Sequence, residues 1–209
     1  MAASRREWRH QGTLIMDQFE YVMVLVSIIV ALAIAHLLTA IADSIHRLRG
    51  NGERLKIDAV YVLWASYVLI YLVTFWWWEF KFQETVVDWS LGLYLFVVTY
   101  AAMLFMLATI LVPHRMQGVM NSYDYFMRGR KWFFGTLILL IGIDWVDSFL
   151  KSYEWGMQPA LLIQYGIQLS TYIVGMLSER RSIQLGAAFV AFASQLVYLF
   201  QGISLLGSW

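Results

Sequence analysis

Two aspartates three residues apart, Asp144 and Asp147, stand in the run Ile143-Asp144-Trp145-Val146-Asp147-Ser148, within an otherwise apolar stretch. On a helix this spacing puts both carboxylates on one face, and Ser148, Lys151 and Glu154 prolong the stripe. An ionised carboxylate at the centre of a membrane helix costs about 2.5–3.5 kcal/mol on insertion scales, so it normally faces a bundle interior or water and marks an ion or proton route. The plainer alternative is that both aspartates, near the helix end, reach headgroups or pair with Lys151. Asp144 lies about 9 Å from Leu150 along a helix axis, which keeps that alternative open.

A second constellation joins His36, Thr39, Asp43 and His46 at steps of three, four and three. A carboxylate one or two turns from an imidazole can set its tautomer, so this face reads as a proton relay or pH sensor. Equally, His36 could hydrogen-bond to another helix, with Asp43 paired to Arg47. Further on, Gln164, Gln168 and Thr171 share one face, and Ser194, Tyr198 and Gln201 another. Amides in hydrocarbon must find partners, so these residues either line a polar route or lock helices together.

Other chemistries are missing. With no cysteine, disulfides, thiolate nucleophiles and cysteine metal sites are excluded. There is no phosphate-binding glycine loop, zinc-protease helix or serine elbow. His46 and His114 make haem conceivable at most. No metal, cofactor or enzymatic activity is expected, and a net charge of +1 gives no reason to expect nucleic acid.

The elements that carry these residues follow from composition. The 209 residues are 60% hydrophobic and only 14% charged, against roughly a quarter charged in soluble domains; mean hydropathy is +0.62. Too much apolar surface is present for one water-soluble core. Apolar runs at 21–41 (amphipathic on to 49), 57–78, 91–112, 132–150, 160–177 and 183–206 each approach or exceed the ~20 residues that span hydrocarbon. They are too continuous for barrel strands. The fold class is therefore all-α: a polytopic membrane protein with six transmembrane helices in one bundle, residues 1–209 forming a single transmembrane domain. Residues 1–16 read as a disordered or interfacial extension, with Met16 as an alternative start, and the apolar run after Glu20 is too long for a cleaved signal peptide.

The segment 115–131 repeats Met116, Val119, Met120, Tyr123, Phe126 and Met127 at helical steps. It reads as an interfacial amphipathic helix between the third and fourth spans, with Arg128, Arg130 and Lys131 among headgroups. Ten Lys and Arg occupy the first, third and fifth connections and two, Lys81 and Lys151, the others. The basic loops are therefore expected to be cytoplasmic and both termini outside, in a cell inner membrane. Trp76, Trp77, Trp78 and Trp89, with Trp145, Trp155 and Trp209, fall at the opposite ends and read as an aromatic interface belt. The Asp-Ser pairs Asp43-Ser44 and Asp147-Ser148, in corresponding places of the two halves, raise an inverted repeat as an option.

The outer end is acidic: Asp17, Glu20, Glu79, Glu84, Asp88 and Glu154 gather there with the two aspartates. A small cation or proton channel or transporter is the first expectation. Asp144 and Asp147 would form its entry, Gln164 and Gln168 its lining, and His36 and Asp43 a relay toward the cytoplasm. A non-catalytic subunit or sensor that anchors a larger complex is the alternative, and a lipid-acting intramembrane enzyme the third. The expected partners are lipid and either further copies of the chain or other membrane subunits.

Overall fold

A computed structural model of the chain describes residues 18–49, 56–86, 89–113 and 121–206. Six long helices fit membrane spans: α1 (Gln18–Arg49), α2 (Ala59–Glu79), α4 (Leu91–Leu111), α5 (Ser122–Lys151), α7 (Pro159–Leu177) and α8 (Arg181–Leu206). Two short helices, α3 (Lys81–Thr85) and α6 (Tyr153–Gly156), fold over one end. The chain is an all-α polytopic bundle, with no strand among the described residues. The expected extension 1–16, and Asp17, Asp88, His114, Arg115, Met116, Val119, Met120 and Trp209, lie outside those residues.

Local chemistry sets the helix limits. Asp58, Ser90 and Asn121 cap α2, α4 and α5, their side chains accepting from the N–H groups of Val60, Leu93 and Tyr123. Pro113 follows the extended Val112 and stops α4, and Pro159 starts α7.

One expectation is corrected. Residues 122–131 are not a separate interfacial helix: they are the first turns of α5, which runs unbroken to Lys151. Nothing between Lys131 and Trp132 breaks the helix. Within the described part of the apolar stripe, Phe126 is buried against Phe133 and Phe134, at 5.5 and 6.0 Å between ring centres. At 1.5 Å per residue α5 is about 45 Å long, more than the ~30 Å of hydrocarbon needs.

Around the bundle the neighbours run α1, α4, α5, α7, α8, α2 and back to α1, with α2 also touching α4 and α5 across the interior. The halves do not pack alike. The first and third spans, α1 and α4, form the most extensive contact, whereas in the second half α5 packs on α7, which gives an inverted repeat no support. Leu32, Val73, Leu95, Leu139, Ile163 and Phe189, one from each long helix, are more than half exposed, while Glu79, Asp147, Gln164, Gln168, Gln184 and Gln195 are buried. A largely apolar exterior, with charged and amide side chains buried within a mostly apolar core, departs from a water-soluble domain and suits lipid as solvent.

The basic connections gather at one end. Lys56 pairs with Asn121, the Ser122 hydroxyl accepts from the Asp58 N–H at 2.8 Å, and Arg181 donates to the Asp58 carboxylate at 2.8 and 2.9 Å. Arg130 is held by Glu179 at 2.5 Å, so it latches α5 to the α7–α8 turn instead of contacting headgroups; Arg128 and Lys131 remain exposed.

Where α7 crosses α5, Gly175 lies against the ring of Phe134, and a methyl group there would run into that ring. Phe134 is fully buried among Trp64, Phe126 and Phe133 and has nowhere to go. Gly175→Ala should therefore destabilise the bundle by about 1–3 kcal/mol, as overpacking does. Gly166→Ala, whose added carbon meets nothing within 4 Å, should be near neutral. Unfolding midpoints of the two variants in detergent check this.

Candidate functional site

The last turns of α2 and α5 bring Glu79 and Lys151 together at the end away from the basic loops. Lys151 Nζ donates to Glu79 Oε1 at 2.8 Å and also to Asp147 Oδ2, one turn earlier on α5. Helix ends are normally wet, yet Glu79 has no exposed surface, and Asp147 and Lys151 are buried. The short helices explain this. Phe82 of α3, itself fully buried, lies beneath the Lys151 ammonium, 4.8 Å from ring centre to nitrogen. The α6 turn is tucked against α5 because Gly156 leaves room for Phe149, and Trp145 Nε1 donates to the Gly156 carbonyl at 3.2 Å.

Removing such charges from water costs several kcal/mol per ion, which pairing must offset. Here the pairing is incomplete. Glu79 Oε2 and Asp147 Oδ1 are buried and have no hydrogen-bond partner among the described residues. Both residues line a cavity of ≈ 60 Å³.

Asp144, two turns deeper than Lys151, lines the same cavity but is bonded differently. Tyr100 of α4 donates to its Oδ1 at 2.6 Å and Tyr165 of α7 to its Oδ2 at 2.8 Å. With those hydrogens committed, the Tyr100 oxygen accepts from Tyr71 at 3.1 Å, and the Tyr165 oxygen lies 3.4 Å from the Ser148 hydroxyl. The carboxylate thus has the two charge-assisted donors that an anion needs.

Deeper still, amides continue the polar column. Gln168 Nε2 donates to Gln195 Oε1 at 2.9 Å and to the Tyr67 oxygen at 3.1 Å, Gln164 Nε2 reaches Gln195 at 3.4 Å, and Tyr67 bonds Tyr172. From Glu79 to Tyr67 the column spans twelve residues of α2, about 18 Å. It ends on an aromatic layer. Trp64, fully buried, packs edge-on against Phe133 and Phe134 at 5.3 and 5.2 Å and against Tyr67 at 5.6 Å. That layer separates the cavity from the basic end.

Four expected route residues, Asp144, Asp147, Gln164 and Gln168, thus line one cavity. His36 and Asp43 do not join them. They line a separate groove between α1 and α4 with Thr39, Phe105 and Pro113, beyond the apolar contact of Ala33, Leu37, Leu104 and Ala108. His36 Nε2 lies 2.9 Å from the Val112 carbonyl; a carbonyl only accepts, so Nε2 carries the hydrogen, and the imidazole caps the end of α4.

The tryptophans divide too. Trp76 and Trp77 are exposed. Trp78 turns inward to line the cavity and meets Trp155 edge-on at 5.3 Å. Trp89 is half-buried between Phe19 and Phe82, at 6.0 and 5.7 Å.

Sequence reasoning missed Glu79, which reads as an outer-surface acid, and the acceptor Gln195. Its signal was present in α2, where Tyr67, Tyr71, Thr74 and Trp78 recur at four, three and four residues, a polar-aromatic stripe that must face the interior. The chain matches no protein-family model, no curated protein and no solved structure.

Proposed function

We propose that this chain is a small transporter that takes up a proton or other cation from the acidic end, through the cavity lined by Glu79, Asp144 and Asp147. One observation carries the reading: three carboxylates line a buried cavity with Lys151 as counter-charge, and two carboxylate oxygens there have no hydrogen-bond partner among the described residues. A low-dielectric site with that imbalance attracts positive charge, and ionisable groups at such depth are expensive to keep without a use. The aromatic layer around Trp64 supports a transporter, which opens one end at a time, over a permanently open pore. The excess of Lys and Arg at the other end supports a cytoplasmic basic end, with the cavity facing outward from a cell inner membrane.

The test is flux in vesicles of purified protein carrying an internal pH dye, with sodium and potassium reporters in parallel. Wild type should dissipate an imposed proton or cation gradient. Asp144→Asn leaves only one oxygen for the two tyrosine donors and removes the deep negative charge; it should lower flux severalfold or more while the protein stays folded.

A second reading, a non-transporting subunit or sensor, is favoured by the Glu79–Lys151–Asp147 bridge itself, which welds α2 to α5. Folded wild type that dissipates no gradient would select it.

A further inference from the structure

On the transport reading above, we propose that the ion held at this site is a single proton, bound by the Glu79–Asp147 carboxylate pair with Lys151 fixed between them. The geometry already fills the position a larger cation would take. Lys151 Nζ bonds one oxygen of each carboxylate, so an amine or alkali ion could not sit between the two carboxylates without displacing a buried side chain. The remaining space of ≈ 60 Å³ holds only a few waters at about 10–15 Å³ each. Hard divalent cations need about six oxygen ligands, and among the described residues no three His, Asp or Glu side chains converge as a metal would require.

A proton needs neither space nor a ligand cage. It needs one free carboxylate oxygen, and the site has Glu79 Oε2 and Asp147 Oδ1. One ammonium balances one of the two carboxylates; a proton neutralises the other. The ionisable groups facing the pair are Asp144 on α5 and the phenols of Tyr71, Tyr100, Tyr165 and Tyr198 on α2, α4, α7 and α8. Asp144 is already served by two phenol hydrogens, which leaves the pair as the place where a proton adds. In the step, hydronium or a buffer acid at the acidic end loses its O–H bond, and one forms on a carboxylate oxygen of the pair; no electrons are exchanged.

Infrared spectroscopy of the full chain in lipid nanodiscs tests this through the C=O stretch of a protonated carboxylic acid, recognised by its shift in D₂O. Wild type at neutral pH should show one such band. Glu79→Gln and Asp147→Asn should each remove it, because Lys151 then balances the one acid left. Glu79→Asp should restore it, and Asp144→Asn should leave it in place. Absence of the band from folded wild type, its survival in both Glu79→Gln and Asp147→Asn, or its loss in Asp144→Asn alone would overturn the assignment. Sodium or potassium flux without the band would also overturn it and leave transport standing. The band without flux of any ion would uphold the proton and remove transport.

Discussion

Lys151→Met should be the most damaging single substitution in the chain, lowering stability by about 3–5 kcal/mol, the usual cost of breaking a buried ion pair by removing one partner. Lys151 is bonded to both Glu79 and Asp147 in a buried setting: Glu79 has no exposed surface, and Phe82 lies beneath the ammonium. Without the lysine, two carboxylates are left in a buried site with no counter-charge between them. They must either collect protons or pull the ends of α2 and α5 apart. The loss should appear as a lower unfolding midpoint in mixed micelles and a lower yield of monodisperse protein. Lys81→Met serves as the control. Lys81 pairs with Glu84 at the surface, where such pairs contribute roughly 0–1 kcal/mol, so its removal should change little.

Most of that loss should be recovered by Glu79→Gln and Asp147→Asn added to Lys151→Met. Replacing a whole buried ionic group with neutral side chains of similar volume is often neutral or stabilising, because no charge remains to be desolvated. The triple variant should therefore unfold near the wild-type midpoint although it has lost every charge of the cluster. This separates two roles that the same residues combine. If the bridge existed only to weld α2 to α5, the neutral variant would be a full substitute. If it exists to hold an ion, the variant is folded and inert. A triple variant no more stable than Lys151→Met alone would mean that the bridge itself holds the bundle together.

The spans were legible because lipid imposes long apolar runs with polar breaks. The shared site of Asp144, Asp147, Gln164 and Gln168 was legible for a related reason: each pair recurs at helical spacing, and polar groups in hydrocarbon must face inward. What periodicity provides is the phase of a helix, not the identity of its neighbour. His36 and Asp43 share a face as read, but that face meets α4 on the side away from the cavity. Glu79 escaped because an acid at a span end, two residues before Lys81, reads as a headgroup contact. Its burial depends on two helices of five and four residues, α3 and α6, folding back over the end, and so short a segment carries no periodic signal. Of the amphipathic stretch at 115–131, the described part from Ser122 is helix as expected but continuous with α5 rather than separate, since a stripe of Phe126 and Met127 serves a lipid surface or a protein groove equally well.

The most direct test is proton flux into vesicles containing the triple variant Glu79→Gln, Asp147→Asn, Lys151→Met, compared with wild type at equal reconstitution. Wild type should collapse an imposed pH gradient, while the folded variant should match protein-free vesicles. Equal flux from the two proteins would contradict the account, since the buried carboxylate pair would then take no part in moving the ion.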